Sequence, residues 1–400
     1  MRFTWASYGM YALAGTTAVL LGAVMPEFLR HYHVSYAVGG QVVFMQAMGF
    51  FVGVPLALRA MHRWPARNIL SLSALVIGLT QVGLCTLPPL AAVYPLAALN
   101  GGGGSALETV VASLVMEIMV HQRAIFMSRL EVSFGAGALG LPILAGALIT
   151  LDAWRLTFLC IGLAGLGLAL WWQVIVVPRE PVTSTHRDAS MVSPPSFAKR
   201  STKFGVLAIF LYMTLVYVGL EASINSFLPS LFTAGLSTPA STAALSSSTF
   251  WAAMVIGRLS IGWIARALRY DHYLWVSISL SLVILIAFSI AHSQAAGFVL
   301  VFCLGLAMAP VYSVLMVFTN HTFPGMTRII TSLLTASAGL GGAVFPALMG
   351  LAMNHLPVVR VPWLLAALAG MLWIGLLSVF VILRYWLGRA PRPSSCPDPP

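Results

Sequence analysis

Twelve apolar stretches of roughly twenty residues or more follow one another along the chain. They lie near 4–27, 37–58, 68–88, 91–119, 124–150, 155–177, 204–228, 244–265, 272–291, 296–318, 327–353 and 362–386. A hydrocarbon core of ~30 Å is crossed by about 20 apolar residues as a helix, since in lipid each backbone N–H and C=O must find its partner within the protein. Composition leaves no soluble alternative. Of the 400 residues, 59% are hydrophobic and 8% charged, against roughly 45–50% and about 25% in soluble domains. The first stretch is too long for a signal peptide and lacks a small-residue cleavage site. The expected fold is an all-α membrane protein of twelve transmembrane helices in two six-helix halves.

A formal net charge of +11 would point to nucleic acid if the basic residues formed a patch on a soluble face. Here they occupy the short gaps between apolar runs, where Lys and Arg mark cytoplasmic loops. With both ends inside, the inner segments hold Arg2, Arg59, Arg63, Arg67, Arg123, Arg129, Arg179, Arg187, Lys199, Arg200, Lys203, Arg266, Arg269, Arg328, Arg384, Arg389 and Arg392. The outer loops hold Arg30, Arg155 and Arg360, and Arg258 lies within a helix. This asymmetry predicts a multi-pass protein of the cell membrane with cytoplasmic N- and C-termini. Its surroundings are then the lipid bilayer, and nucleic acid is not an expected partner.

The longest polar stretch, Pro178 to Lys203, falls between the sixth and seventh spans. It divides the chain into an N-terminal half (1–178), a cytoplasmic linker (179–203), a C-terminal half (204–387) and a Pro/Ser-rich tail (388–400) expected to be disordered. Cys85, Cys160, Cys303 and Cys396 show no metal-binding or redox spacing, and the three in apolar runs read as small hydrophobes. Neither a metal nor a cofactor is expected.

The two halves share a pattern. Ser133, Gly135, Gly137, Pro142 and Gly146 recur at one offset of 204 residues as Ser337, Gly339, Gly341, Pro346 and Gly350. Gly53 with Gly257 and Gly15 with Gly219 share that offset. Isolated glycines are common in membrane helices, but five matches at one offset within fourteen residues indicate an internal repeat. Two repeats facing each other across a central path provide the geometry for rocking between inward- and outward-open states.

Six plus six helices with a basic central loop resemble the major facilitator superfamily over essentially the whole chain. The loop Met61-His62-Arg63-Trp64-Pro65-Ala66-Arg67 matches its Gly-x-x-x-Asp-Arg-x-Gly-Arg signature at Arg63 and Arg67. His62 stands where the acid belongs and Pro65 where a glycine belongs, so the family's charge relay is not expected here. Trp154-Arg155-Leu156-Thr157-Phe158 is another frequent superfamily pattern. Within the superfamily, Gly104-Ser-Ala-Leu-Glu108-Thr109, Tyr217-Val-Gly219-Leu-Glu221 and Phe250-Trp251 to Gly257-Arg258 are most similar to the fucose–proton symporter family. Ala112-Ser113 replaces that family's Asn-Pro, and Gly22 before Pro26 replaces its span-one Asp. The resemblance implies a monomeric secondary transporter of a sugar-like solute, coupled to protons.

An ionisable side chain within the bilayer costs roughly 2.5–3.5 kcal/mol on insertion scales, which makes each one a functional candidate. Tyr217, Glu221 and Asn225 follow at i, i+4, i+8 and form one polar stripe, suited to binding a polar solute together with Trp251. Tyr8, Tyr11 and Tyr312 are further aromatic candidates. Asn100, Gly104 and Glu108 form a second stripe, beside a four-glycine run that permits close helix approach or bending. A carboxyl group shielded from water can pass between charged and neutral forms, so Glu108 and Glu221 are the expected proton carriers. Glu131 and Arg258 are expected to pair across the halves as a gating ion pair, with Glu108 the competing partner for Arg258. Glu27 and Glu117 lie near span ends and read as solvated.

Enzyme chemistry finds no support, since the chain has no Walker loop, HExxH or GxSxG. Two functions compete. One is proton-coupled movement of a small polar solute. The other is efflux of amphipathic drugs or metabolites by proton antiport, to which the Gly135–Gly146 segment is loosely similar.

Overall fold

The computed structural model describes residues 2–118, 123–175, 200–267, 270–309, 311–323 and 326–387. Among them the regular structure is helical: α1 (Arg2–Tyr32), α2 (Tyr36–Met61), α3 (Ala66–Cys85), α4 (Leu90–Ile118), α5 (Arg123–Thr150), α6 (Leu156–Val174), α7 (Arg200–Gly235), α8 (Ala240–Ala267), α9 (Tyr270–Ser289), α10 (Gln294–Met308), α11 (Val311–Thr322), α12 (Thr327–His355) and α13 (Val361–Leu387). A single 3₁₀ turn, Val358–Arg360, precedes α13. Helices α10 and α11 together occupy the tenth expected span, so the thirteen helices correspond to twelve crossings. α7 begins at Arg200, inside the expected linker. The rest of that linker and the tail at 388–400 lie outside the described residues.

Ten segments are long and apolar enough to cross a membrane by length and composition. α4 and α8 are not among them, although they are 29 and 28 residues long. Asn100, Gly101–Gly104 and Glu108 dilute the first, and Ser241, Thr242, Ser246, Ser247, Ser248 and Thr249 the second. Such helices are tolerated where protein covers their polar groups. The Ser248 hydroxyl donates to the Leu139 carbonyl at 2.8 Å, and Asn100 Oδ1 accepts from Gln81 Nε2 at 3.1 Å.

Small residues let the helix backbones approach, which substitutes for the hydrophobic driving force that lipid does not supply. A Cβ on Gly137 would strike the Ala12 carbonyl, and one on Gly341 the Leu215 carbonyl. These are α5 on α1 and α12 on α7, the same contact in each half. Gly146 abuts Ser241 of α8, and Gly350 abuts Tyr36 of α2, again as counterparts. Gly53 faces α4 and Gly257 faces α10. The 204-residue repeat is therefore a repeat of helix–helix contacts.

Between the halves, α1 packs on α7, α2 on α12 and α5 on α8. The contact is tightest at the end carrying the α1–α2 and α7–α8 loops. There a Gly22 Cβ would strike the Asn225 carbonyl, and a Gly40 Cβ would lie 3.1–3.2 Å from Pro346 and Ala347. Towards the other end α5 and α8 stay in contact, a Gly135 Cβ striking the Val255 side chain, while α4 stands apart from α10 and α11. Among the described residues α4 packs on α1, α2, α3 and α5, α10 on α8 and α9, and α11 on α7, α9 and α12, with no interface between α4 and α10 or α11. The bundle is closed at one end and cleft at the other.

Candidate functional site

The cleft narrows onto Arg258. Its Nη1 lies 3.3 Å from Glu131 Oε2 on α5, and its Nη2 lies 3.7 Å from Glu221 Oε1 on α7. Its Nε donates to the Ala309 carbonyl at 3.4 Å, where α10 gives way to α11, and its Cζ sits 5.7 Å from the Trp251 ring centre. A guanidinium within a bundle needs partners for all its donors, and its planar fork can serve two carboxylates at once. At ~1.5 Å per residue, Glu131 and Arg258 both lie about 27–29 Å along their helices from the closed end. The expected pair across the halves is present. Glu108 takes no part in it; Glu221 supplies the second carboxylate.

The polar stripe on α7 does meet one wall of neighbours. Tyr217 is 1% exposed, and its hydroxyl donates to the Met308 carbonyl at 2.8 Å beside the Glu221 carboxyl. This bond ties α7 to α10. Asn225 Nδ2 donates to the Ala18 carbonyl of α1 at 3.0 Å, while its Oδ1 accepts from Trp251 Nε1 at 2.9 Å. One amide thus links α1, α7 and α8. Phe134 of α5 packs against Trp251 with ring centres 5.6 Å apart. The Asn225, Trp251, Arg258 and Glu221 groups form a continuous ledge of donors, acceptors and an aromatic face at the boundary between the closed and cleft regions.

Glu108 lies in α4, partly buried, and no ion pair of its carboxylate occurs among the described residues. Tyr11 donates from its hydroxyl to the Glu108 backbone carbonyl at 3.4 Å. Asn100, on the same stripe, faces Gln81 of α3 instead. Of the four-glycine run, Gly101 and Gly103 meet α2 and α3, whereas Gly104 borders open space. Tyr312 reaches Thr335 of α12, and the Tyr8 hydroxyl is buried with no hydrogen-bond partner among the described residues. Glu27 is 5% exposed and ion-paired to Arg30, so burial and a partner replace the expected solvation. The Glu117 side chain lies outside the described residues.

Phe134 and the carbonyls of Ala18 and Ala309 were not foreseen as site groups. A phenylalanine within the repeat motif carries no polar signal, and a backbone carbonyl carries no sequence signal at all. No group of three or more His, Cys, Asp or Glu able to hold a metal occurs among the described residues.

A sequence profile of the Major Facilitator Superfamily matches residues 8–332. The chain belongs to that superfamily. This member is therefore a multi-pass membrane transporter and not an enzyme. It is 28% identical over 356 residues to the glucose/mannose transporter GlcP of Bacillus subtilis (strain 168), covering 87% of each chain. Its fold is similar to that of a bacterial homologue of the human lysosomal transporter Spinster in an inward-facing, unoccupied conformation, with a TM-score of 0.75, 14% identity and 98% of each chain covered. A D-xylose–proton symporter superposes with a TM-score of 0.76 at 13% identity, covering 96% of this chain and 97% of the symporter. At such identities these likenesses speak for the fold.

Proposed function

We propose that this transporter moves a small polar, sugar-like solute by alternating access, coupled to protons. It does so as a monomer in the cell membrane with both termini cytoplasmic. The observation that carries the reading is the ledge at the head of the cleft. Asn225 and Trp251 offer hydrogen-bonding groups beside an aromatic face, the arrangement that suits a sugar ring. Arg258 holds Glu131 and Glu221 next to them, while Glu108 has no ion pair among the described residues. The relationship to a glucose/mannose transporter supports the solute class, as does the resemblance of the span-four and span-seven motifs to those of fucose–proton symporters. The bias of Lys and Arg supports the orientation.

The two alternating states follow from the packing. In the present state α1 and α7 meet at the closed end. Rocking about the α2–α12 and α5–α8 contacts would part them and draw α4 towards α10 and α11. The Glu131–Arg258 bridge is made in the present state, on the cleft side of these contacts, and as a gate it would change its separation as the halves rock. Purified protein in vesicles with an imposed pH gradient tests the proposal, with uptake followed across a panel of hexoses, pentoses and cationic dyes. Uphill sugar movement that collapses with the gradient is the expected result. Movement of dyes alone would favour efflux, and indifference to the gradient would remove proton coupling.

A further inference from the structure

A groove of about 530 Å³ runs along the outer surface of the first half, between α2, α3 and α4. Its walls include Val52, Leu56, Leu72, Val76 and Leu99, with Trp64 at its mouth. Most of these side chains are exposed, Leu56 at 60% and Leu99 at 55%. The groove exists because α2 and α4 touch through glycine: a Cβ on Gly49 would strike the Ala98 carbonyl, and one on Gly53 would strike Ser105. Backbones that close leave a trough flanked by side chains and floored by main chain. The Ser73 hydroxyl on its wall is already engaged, donating to the Ile69 carbonyl at 2.8 Å. A chain without polar atoms fits such a trough.

From Met48 to Ala60 the groove follows α2 for about 18 Å at ~1.5 Å per residue, a little more than half of a ~30 Å hydrocarbon core. It therefore spans one leaflet, ending where α2 turns into α3. At that end Arg59, His62, Arg63 and Arg67 are all exposed. No ion pair engages these arginines among the described residues. Three fixed positive charges thus stand at the headgroup level above a leaflet-deep apolar trough, with an indole at the rim, where aromatic rings favour the interface.

We infer that this groove is a binding site for an anionic phospholipid, with one acyl chain in the trough and the phosphate among Arg59, Arg63 and Arg67. The occupant follows from charge and length together. Lipid covers this face, a zwitterionic lipid brings a cation along with its phosphate and so leaves net positive charge at the arginines, and a soluble anion leaves the groove empty. An Arg near a membrane surface strengthens attachment to anionic lipid by about fivefold.

Native mass spectrometry of the full chain, delipidated and then incubated with equal phosphatidylglycerol and phosphatidylcholine, tests the site. The wild type is expected to retain one phosphatidylglycerol in preference to phosphatidylcholine. Arg63→Ala with Arg67→Ala, both exposed and harmless to packing, should lower that preference by roughly 25-fold. Val76→Trp fills the trough and should reduce retention of both lipids, whereas Leu170→Trp on the exposed face of α6 should change neither. Equal retention of the two lipids, an unaltered preference in the double arginine variant, or a lipid-free dimer would overturn the assignment. Should Val76→Trp fail to fold, the arginine variant decides the matter by itself.

Discussion

Arg258 Nη1 stands 3.3 Å from Glu131 Oε2, joining α8 of one half to α5 of the other at the head of the cleft. The two carboxylates around this guanidinium are unequal. The Glu131 side chain is 51% exposed and Glu221 18%, so water screens the first pair far more than the second.

That inequality sets the cost of removing each partner. Glu131→Gln is expected to change stability by about 0–1 kcal/mol, as for a screened ion pair. Arg258→Gln also removes the cation beside the less exposed Glu221 and should cost more, about 1–3 kcal/mol. Thermal unfolding of the two variants in detergent should separate them clearly, and equal losses would contradict the arrangement.

If the pair acts as a gate, the sign of each charge should matter less than their opposition. The charge-swapped Glu131→Arg, Arg258→Glu variant should then carry solute faster than either single variant in vesicles. A double variant no better than the singles would count against a gating role.

Among the described residues Glu108 has no ion pair, which distinguishes it from Glu221. Glu108→Gln is expected to abolish gradient-driven accumulation while leaving solute exchange across equilibrated vesicles intact. Retention of both would free Glu108 from the coupling step.

At the closed end, Gly22 touches the α7 backbone at Asn225 and Ser226. Gly22→Val should hold α1 away from α7. A cysteine at Ser230, buried in the present state, should then react faster with a membrane-impermeant maleimide. Unchanged labelling would show that the helices can still meet.

Asn225→Ala removes two hydrogen bonds at once, to Ala18 and from Trp251. Each contributes roughly 0.5–1.5 kcal/mol. Destabilisation of the closed end should raise labelling at the same cysteine and weaken sugar binding, as read by a shift in half-saturating concentration.

Much of this architecture was legible in one dimension. The lipid ruler applies to each helix separately, so α1, α2, α5, α12 and α13 begin and end within a few residues of the expected spans. The repeat was legible because the glycines of α5 and α12 must admit neighbouring backbones, a demand that acts on residue identity. The stripe Tyr217–Glu221–Asn225 was visible from helical periodicity, and Arg258 and Glu131 stood out by the cost of placing charge in lipid. Gly22, noted only as a missing acid, turns out to lie where α7 leaves no room for any side chain.

What the sequence by itself determined is therefore the set of helices, their pairing into similar halves and a short roster of interior charges. Each follows from a local rule: apolar length, spacing or desolvation. The tertiary structure alone decided that Glu221, and not Glu108, joins Glu131 around Arg258. Glu108 and Glu221 looked equivalent as buried carboxylates, yet Glu221 reaches Arg258 and Glu108 does not. Tyr217 was a candidate for solute and is committed to Met308. Partner choice depends on how helices far apart in the chain rotate against one another, and the carbonyls of Ala18, Met308 and Ala309 that complete the site belong to the backbone, which every sequence shares.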